Sequence, residues 1–199
     1  MGTNTWFSEP GKNILASFHL QPDLPASRQF VFNQYFALTT LFFIRNYIPD
    51  ALIKWPNDLY VDGKKIAGIL IEHVLRGNSI RYTIAGIGIN INQKHFPINI
   101  PHPTSLLLET GCEHDVNELL ETYWQLLHDR FSECDLSHEE YLKKQYISNL
   151  YQFNEFHAYL IHDVQIEARI TDIDEYGRLV LQDRNEKEYV CGFKEIQFL

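Results

Sequence analysis

The stretch Lys54-Trp55-Pro56-Asn57-Asp58-Leu59-Tyr60-Val61-Asp62-Gly63-Lys64-Lys65-Ile66-Ala67-Gly68-Ile69-Leu70-Ile71-Glu72 organises the chain. Two apolar runs, Leu59 to Val61 and Ile66 to Ile71, flank Asp62-Gly63. That dipeptide suits a type I′ turn, whose two central residues both take positive φ, so the stretch predicts a β-hairpin. Pro56 breaks any helix and biases Trp55 to extended backbone, which presents Lys54, Asn57 and Asp58 at a strand end. Lys54, Asn57, Asp58, Lys64 and Lys65 thereby gather on one rigid unit. Taken singly, lysines and a turn Asn or Asp are ordinary hairpin surface. Gly68 adds to them, because a glycine inside a β-branched run marks close approach of a ligand or another backbone. A lysine at a strand mouth with bare backbone three residues along suits a small anionic ligand.

Working outward, Arg76-Gly77-Asn78 turns the chain into a strand over residues 79–92. Its end, Ala85-Gly86-Ile87-Gly88-Ile89-Asn90, is no dinucleotide fingerprint, since a third glycine and a following helix are missing. Ala85, Gly86 and Gly88 instead leave bare backbone on which a ring or phosphate can lie. Upstream, a turn at Pro10-Gly11 follows Trp6 and feeds a strand from Asn13 to Leu20. Ser27 is placed to cap a helix that Pro49 ends; Phe30, Val31, Ala37, Leu38, Leu41, Phe42 and Ile44 cover much of its circumference, which predicts a buried helix. Residues 51–55 then form a strand leading into the hairpin. Downstream, Asp115 with Glu118 and Ser137 with Glu140 read as capping boxes of two scaffold helices. Beyond Leu150 five short β-rich runs follow, with Glu175-Tyr176-Gly177 a reversal.

A chain of 199 residues, 45% hydrophobic and 22% charged, has a globular composition, and its 13 Phe and 11 Tyr supply large side chains for a core. No run approaches the roughly 18 apolar residues of a membrane span. The start, Met1-Gly2-Thr3-Asn4-Thr5, lacks the pattern of a signal peptide, so a cytoplasmic, soluble protein is expected. Cys112, Cys134 and Cys191 are odd in number and widely spaced, giving neither a disulfide framework nor a zinc site. Net charge of −9 speaks against a general nucleic-acid binder. Charge is uneven, however: residues 54–94 hold six Lys or Arg against three Asp or Glu, and residues 109–144 three against ten. The central block is a basic island that would draw anionic ligands to one face.

Lys54-Trp55-Pro56-Asn57-Asp58, the Lys65-to-Glu72 strand and Gly86-Ile87-Gly88-Ile89-Asn90-Ile91-Asn92, in that order and spacing, resemble the catalytic domain of biotin protein ligases. The resemblance implies an α+β fold, a mixed or antiparallel sheet with packed helices over residues 1–150. A small SH3-like β-barrel over residues 151–199 would follow. It implies ATP-dependent attachment of biotin, through biotinyl-5′-AMP, to a lysine of a biotin carboxyl carrier domain, with Mg²⁺. Lys65, Lys54 and Asp58 would be catalytic and Asp58 the metal ligand. Lys65, Gly68, Gly86 and Gly88 would hold biotin; Trp6, Asn13, Lys54, Asn57 and Asn90 would hold ATP. A homodimer is compatible with the resemblance, and neither nucleic acid nor membrane is expected as a partner. The family carries a Gly/Arg-rich loop immediately before the tryptophan, of which Met1-Gly2 would be the last part. Two further readings are therefore carried: a shortened remnant that binds without turnover, and lipoate or octanoyl transfer, against which the Lys-Trp-Pro-Asn-Asp motif weighs.

Overall fold

Asp62 and Gly63 adopt φ of 48° and 70°, and Val61 pairs directly with Lys64, so the predicted two-residue turn forms. The computed structural model describes residues 6–21, 24–131 and 138–199. Its first sheet holds β1 (Asn13–Leu20), β2 (Leu52–Lys54), β3 (Asp58–Val61), β4 (Lys64–Arg76) and β5 (Ser79–Asn90), in the order β1-β5-β4-β3-β2 with every pair antiparallel. Side chains alternate across such a sheet. Ile14, Ile53, Leu59, Val61, Ala67, Ile69, Ala85, Ile87 and Ile89 are buried on one side, while Leu15 and Leu70 of the other side stand open to solvent.

The buried side is covered by α1 (Gln29–Arg45), with α3 (Val116–Phe131) and α4 (Glu139–Ser148) packed on it and the short α2 (Leu106–Thr110) nearby. Phe36, Leu38, Leu41, Phe43 and Ile44 of α1 are completely buried, each contributing roughly 1.5–3 kcal/mol by leaving water. Thr39 and Thr40, equally buried, donate to the Tyr35 and Phe36 carbonyls of their own helix at 2.9 and 2.8 Å, so neither hydroxyl is stranded.

Ser27 does not cap this helix. It lies in a 3₁₀ turn, Ala26–Arg28, and α1 starts at Gln29 with no side-chain cap. The cause is tertiary: Ala26 N–H donates to the Asn78 carbonyl and Ile80 N–H to that of Leu24, which pins the entry segment to the β4–β5 turn. Asp115 does cap α3, accepting from Asn117 and Glu118 N–H at 2.8 and 3.2 Å. Ser137 lies outside the described residues.

After α4 come β6 (His157–Ile161), β7 (Val164–Ile173), β8 (Leu179–Asp183), β9 (Glu188–Cys191) and β10 (Ile196–Phe198). They form one antiparallel sheet in the order β10-β6-β7-β8-β9. The five β-rich runs expected beyond Leu150 are thus five strands. The two sheets meet along residues 149–151, where Ile53 N–H donates to the Asn149 carbonyl and Tyr151 N–H to that of Ile53. They meet again at the 174–178 turn, where the Trp55 indole N–H donates to the Gly177 carbonyl at 2.9 Å. The Trp55–Pro56 peptide is cis, and the Tyr146 hydroxyl donates to the Pro56 carbonyl at 2.7 Å.

No helix among the described residues is long and apolar enough to cross a membrane. Cys112 and Cys191 are unbridged, and Cys134 lies outside the described residues.

Candidate functional site

Strict alternation would put Lys65 and Gly68 on opposite sides of the sheet, yet they share one. Leu59 pairs with Ala67 but Tyr60 pairs with Lys65, so Ile66 is an extra residue in β4 and the parity switches there. Such a bulge re-aims a side chain without ending the strand. It turns Lys65 onto the face away from α1, beside Asp58, Gly68 and Gly88.

Lys65 Nζ lies 2.7 Å from Asp58 Oδ1, the two side chains being 30% and 27% exposed, so the pair remains within reach of a ligand. The Lys65 backbone is clamped from both sides: its N–H donates to the His102 carbonyl at 2.7 Å and its carbonyl accepts from Thr104 N–H at 2.9 Å. Asn90 reaches the same loop, its Nδ2 donating to the Thr104 carbonyl at 2.8 Å, while its Oδ1 is buried without a partner among the described residues. Lys65 and Asn90 are therefore tied to the same 102–104 loop, the first through its backbone and the second through its side chain.

Asp58, Gly68 and Gly88 are consecutive partners across β3, β4 and β5. The Trp6 indole lies on the two glycines. A Cβ at Gly88 would stand 2.6 to 2.8 Å from three indole atoms, and one at Gly68 would stand 3.0 Å from the indole and 3.2 Å from Asp58 Oδ1 and Lys65 Cε. Lys65 Nζ is 5.7 Å from the indole centroid. Trp6 Nε1 is buried without a partner among the described residues. The residue assigned to nucleotide and those assigned to biotin thus lie in contact, and a ring entering this strip requires the indole to swing aside. Gly86, one step further along the strand pair, is open, its nearest would-be neighbour being the Leu70 carbonyl oxygen at 3.7 Å.

Gly88→Ala is accordingly expected to evict the indole from the strip. The check is the emission component of Trp6, obtained by subtracting a Trp6→Phe background. It shifts to the red in the alanine variant, whereas an unshifted component would mean that the indole does not rest on Gly88.

The two remaining asparagines are engaged with the frame. Asn57 donates its side-chain amide to the Ile69 carbonyl, and its own carbonyl accepts from Ile69 N–H. Buried Asn13 donates to Ser8 Oγ and Gln93 Oε1 and accepts from Ile91 N–H at 3.0 Å. Lys64 pairs with Glu109 at 3.0 Å, and Thr104 donates to the same carboxylate, so this lysine ties the hairpin to α2.

Lys54, at the end of β2, faces the same side as Asp58, its register partner. Its Nζ lies 4.6 Å from the Tyr60 ring centroid, 4.9 Å from that of Phe198 and 6.0 Å from that of Tyr151. Burial pulls its pKa below the ordinary lysine value, against the opposing pull of Asp58, and Lys65 adds to the lowering. Sequence reasoning missed these three rings. Only Tyr60 carried a signal, being two residues from Asp58 and so on the same face. It also missed fully buried Gln93, whose amide holds Asn13, Glu9 N–H and the His95 carbonyl. Among the described residues no three or more His, Cys, Asp or Glu side chains gather as a metal-binding group.

The sequence model of the Biotin/lipoate A/B protein ligase family matches residues 1–90. The chain is similar to the Bifunctional ligase/repressor BirA of Bacillus subtilis, 35% identical over 97 residues, covering 46% of this chain and 29% of that protein. It is similar to BirA of Escherichia coli at 26% identity over 194 residues, 94% of this chain and 59% of that one. The chain thus spans less than two thirds of the length of these relatives. In fold it resembles the biotin protein ligase of Aquifex aeolicus in complex with biotin and ATP, with a TM-score of 0.78 at 23% identity over 98% of this chain and 82% of that one. The ligase of Leishmania major in complex with biotinyl-5-AMP gives 0.60 at 20% identity over 96% and 83%. The motifs around Lys54, Lys65 and Gly88 lie within residues 1–90, the segment over which the chain matches the Biotin/lipoate A/B protein ligase family.

Proposed function

We propose that this chain joins biotin to a lysine of a carrier domain at the expense of ATP, by way of biotinyl-5′-AMP. The observation that carries the reading is the placement of Lys65: a cation on a bulge, with bare backbone at Gly68 and Gly88 beside it and Asn90 tied to the loop that clamps its backbone. A carboxylate does not acylate an amine at neutral pH until one of its oxygens becomes part of a good leaving group. In the first step a biotin carboxylate oxygen bonds to the α-phosphorus of ATP while the bond to pyrophosphate breaks. Both reactants are anions, and Lys65 reduces their repulsion as they meet and holds the charge that develops. In the second step the unprotonated amine of the target lysine attacks the mixed anhydride, AMP leaves, and the amine proton passes to solvent. Asp58 Oδ1 already accepts from Lys65, which favours an orienting role for Asp58 over that of a base.

Gly68, Gly86 and Gly88 would receive biotin, and the displaced Trp6 indole would lie against the nucleotide. Asn90, whose Oδ1 has no partner among the described residues, is suited to the nucleotide side. Asn13 and Asn57 support the strands that carry the site. Mg²⁺ would enter with the triphosphate, with Asp58 supplying a carboxylate oxygen and phosphates and water the rest, as hard cations prefer; bound there, it would neutralise phosphate charge. Residues 151–199 would be the SH3-like unit, placed beside the site by Tyr151 and β10.

The test is ATP–pyrophosphate exchange, with biotin and lipoate offered separately, followed by single-turnover transfer to a carrier domain. Exchange with biotin alone and transfer to the carrier are expected. Biotin binding without exchange would leave a binding protein, and exchange with lipoate in place of biotin would move the chain to the other branch of the family.

A further inference from the structure

The three rings around Lys54 come from three places in the chain: Tyr60 from β3, Tyr151 from the connection between the sheets, and Phe198 from the last strand. Among the described residues Lys54 makes no ion pair, because Asp58, its register partner, is taken by Lys65. Its only hydrogen bond there is a long one, 3.4 Å, to the Tyr60 hydroxyl. Ring faces attract an ammonium without neutralising it. A lysine stem has several free torsions, and enclosure by rings removes that freedom while leaving the positive charge for an incoming anion. The two lysines therefore differ in kind: Lys65 is held by a carboxylate, Lys54 by aromatic faces.

The rings are themselves fixed. Tyr60 and Tyr151 lie 5.8 Å apart. Tyr151 is tied to β2 by its N–H bond to the Ile53 carbonyl at 2.8 Å. Phe198 packs edge-on against buried Tyr159 at 5.3 Å, so the second sheet determines where its ring stands.

We infer that Phe198 and Tyr151 are positioning residues, which hold the Lys54 ammonium toward the triphosphate and make the last strand a determinant of nucleotide affinity. This rests on the ligase reading above. The residues act through Lys54 and touch no reacting atom.

Two substitutions in the full chain separate caging from packing. Phe198→Leu keeps apolar bulk against Tyr159 but removes the ring face; Phe198→Tyr keeps the ring. In ATP–pyrophosphate exchange Phe198→Leu is expected to raise the KM for ATP about 3- to 10-fold while the KM for biotin stays within twofold, and Phe198→Tyr to recover most of the loss. An unchanged KM for ATP in the leucine variant, a parallel rise for both substrates, or failure of tyrosine to rescue would overturn the inference. A second readout is independent of turnover. After reductive methylation with ¹³C-formaldehyde, the Lys54 methyl resonance, assigned with Lys54→Arg, should be ring-shifted upfield in the parent and in Phe198→Tyr and move toward the free-lysine position in Phe198→Leu. Absence of that pattern refutes the cage even if the chain shows no exchange; its presence in a chain without exchange refutes the ligase reading and with it the nucleotide role.

Discussion

Lys65→Ala is expected to lower kcat/KM for biotin-dependent ATP–pyrophosphate exchange by about 10²-fold or more, roughly 3 kcal/mol of transition-state stabilisation. The reason is positional. The bulge at Ile66 and the two backbone bonds to the 102–104 loop hold this lysine in place, so no neighbouring cation can take over its post. Lys64 is engaged with Glu109, and Lys54 sits among rings. Removing the amine also leaves the Asp58 carboxylate unpaired at the meeting point of two anions, which adds repulsion. Because that carboxylate is about a quarter exposed, water offsets much of the loss to folding stability, and the variant should melt close to the parent. Exchange kinetics beside a thermal melt decide the matter. A variant that exchanges at the parent rate would end the assignment of Lys65, and one that has unfolded would show up in the melt.

The largest stability effect should come from a residue remote from the chemistry. Gly177→Ala is expected to cost about 3 kcal/mol or more. Gly177 has φ of 82°, and an added Cβ would lie 2.2 to 2.8 Å from three atoms of the Phe30 ring in α1. The backbone contribution alone is about 1–2 kcal/mol, and overpacking adds a further 1–3. Gly77 provides the comparison, since it has φ of 61° and nothing within 4 Å of an added Cβ. Gly77→Ala should therefore show the backbone contribution alone, and the difference between the two denaturation midpoints measures the clash. Equal midpoints would mean that the 174–178 turn is not wedged against α1 at all.

Much of this architecture was legible in the residues. Asp62-Gly63 specified its turn because few dipeptides accept positive φ twice, and the glycines at 68, 86 and 88 marked backbone open to close approach because they carry no Cβ. The burial of α1 followed from an apolar circumference. What escaped was decided at a distance. Ser27 had the chemistry of a cap but is overruled by bonds from the 78–80 turn. Asn13 and Asn57 have side chains suited to phosphates, and folding brings each against backbone that their local sequence does not reveal, Asn13 accepting from Ile91 N–H and Asn57 donating to the Ile69 carbonyl. The aromatic surroundings of Lys54 join residues as far apart as 54 and 198, and no local pattern encodes that. Sequence spacing alone would have set Lys65 and Gly68 back to back.

That last point bears on how the chain can change over time. The direction of the Lys65 side chain follows from its pairing with Tyr60, which the bulge at Ile66 preserves. Excising Ile66 would leave Lys65 two residues before Gly68 in plain alternation, and so still on its face, whereas keeping the length and closing the ladder without a bulge would drive the amine into the hydrocarbon interior beneath. For this hairpin, register is under tighter constraint than length or spelling.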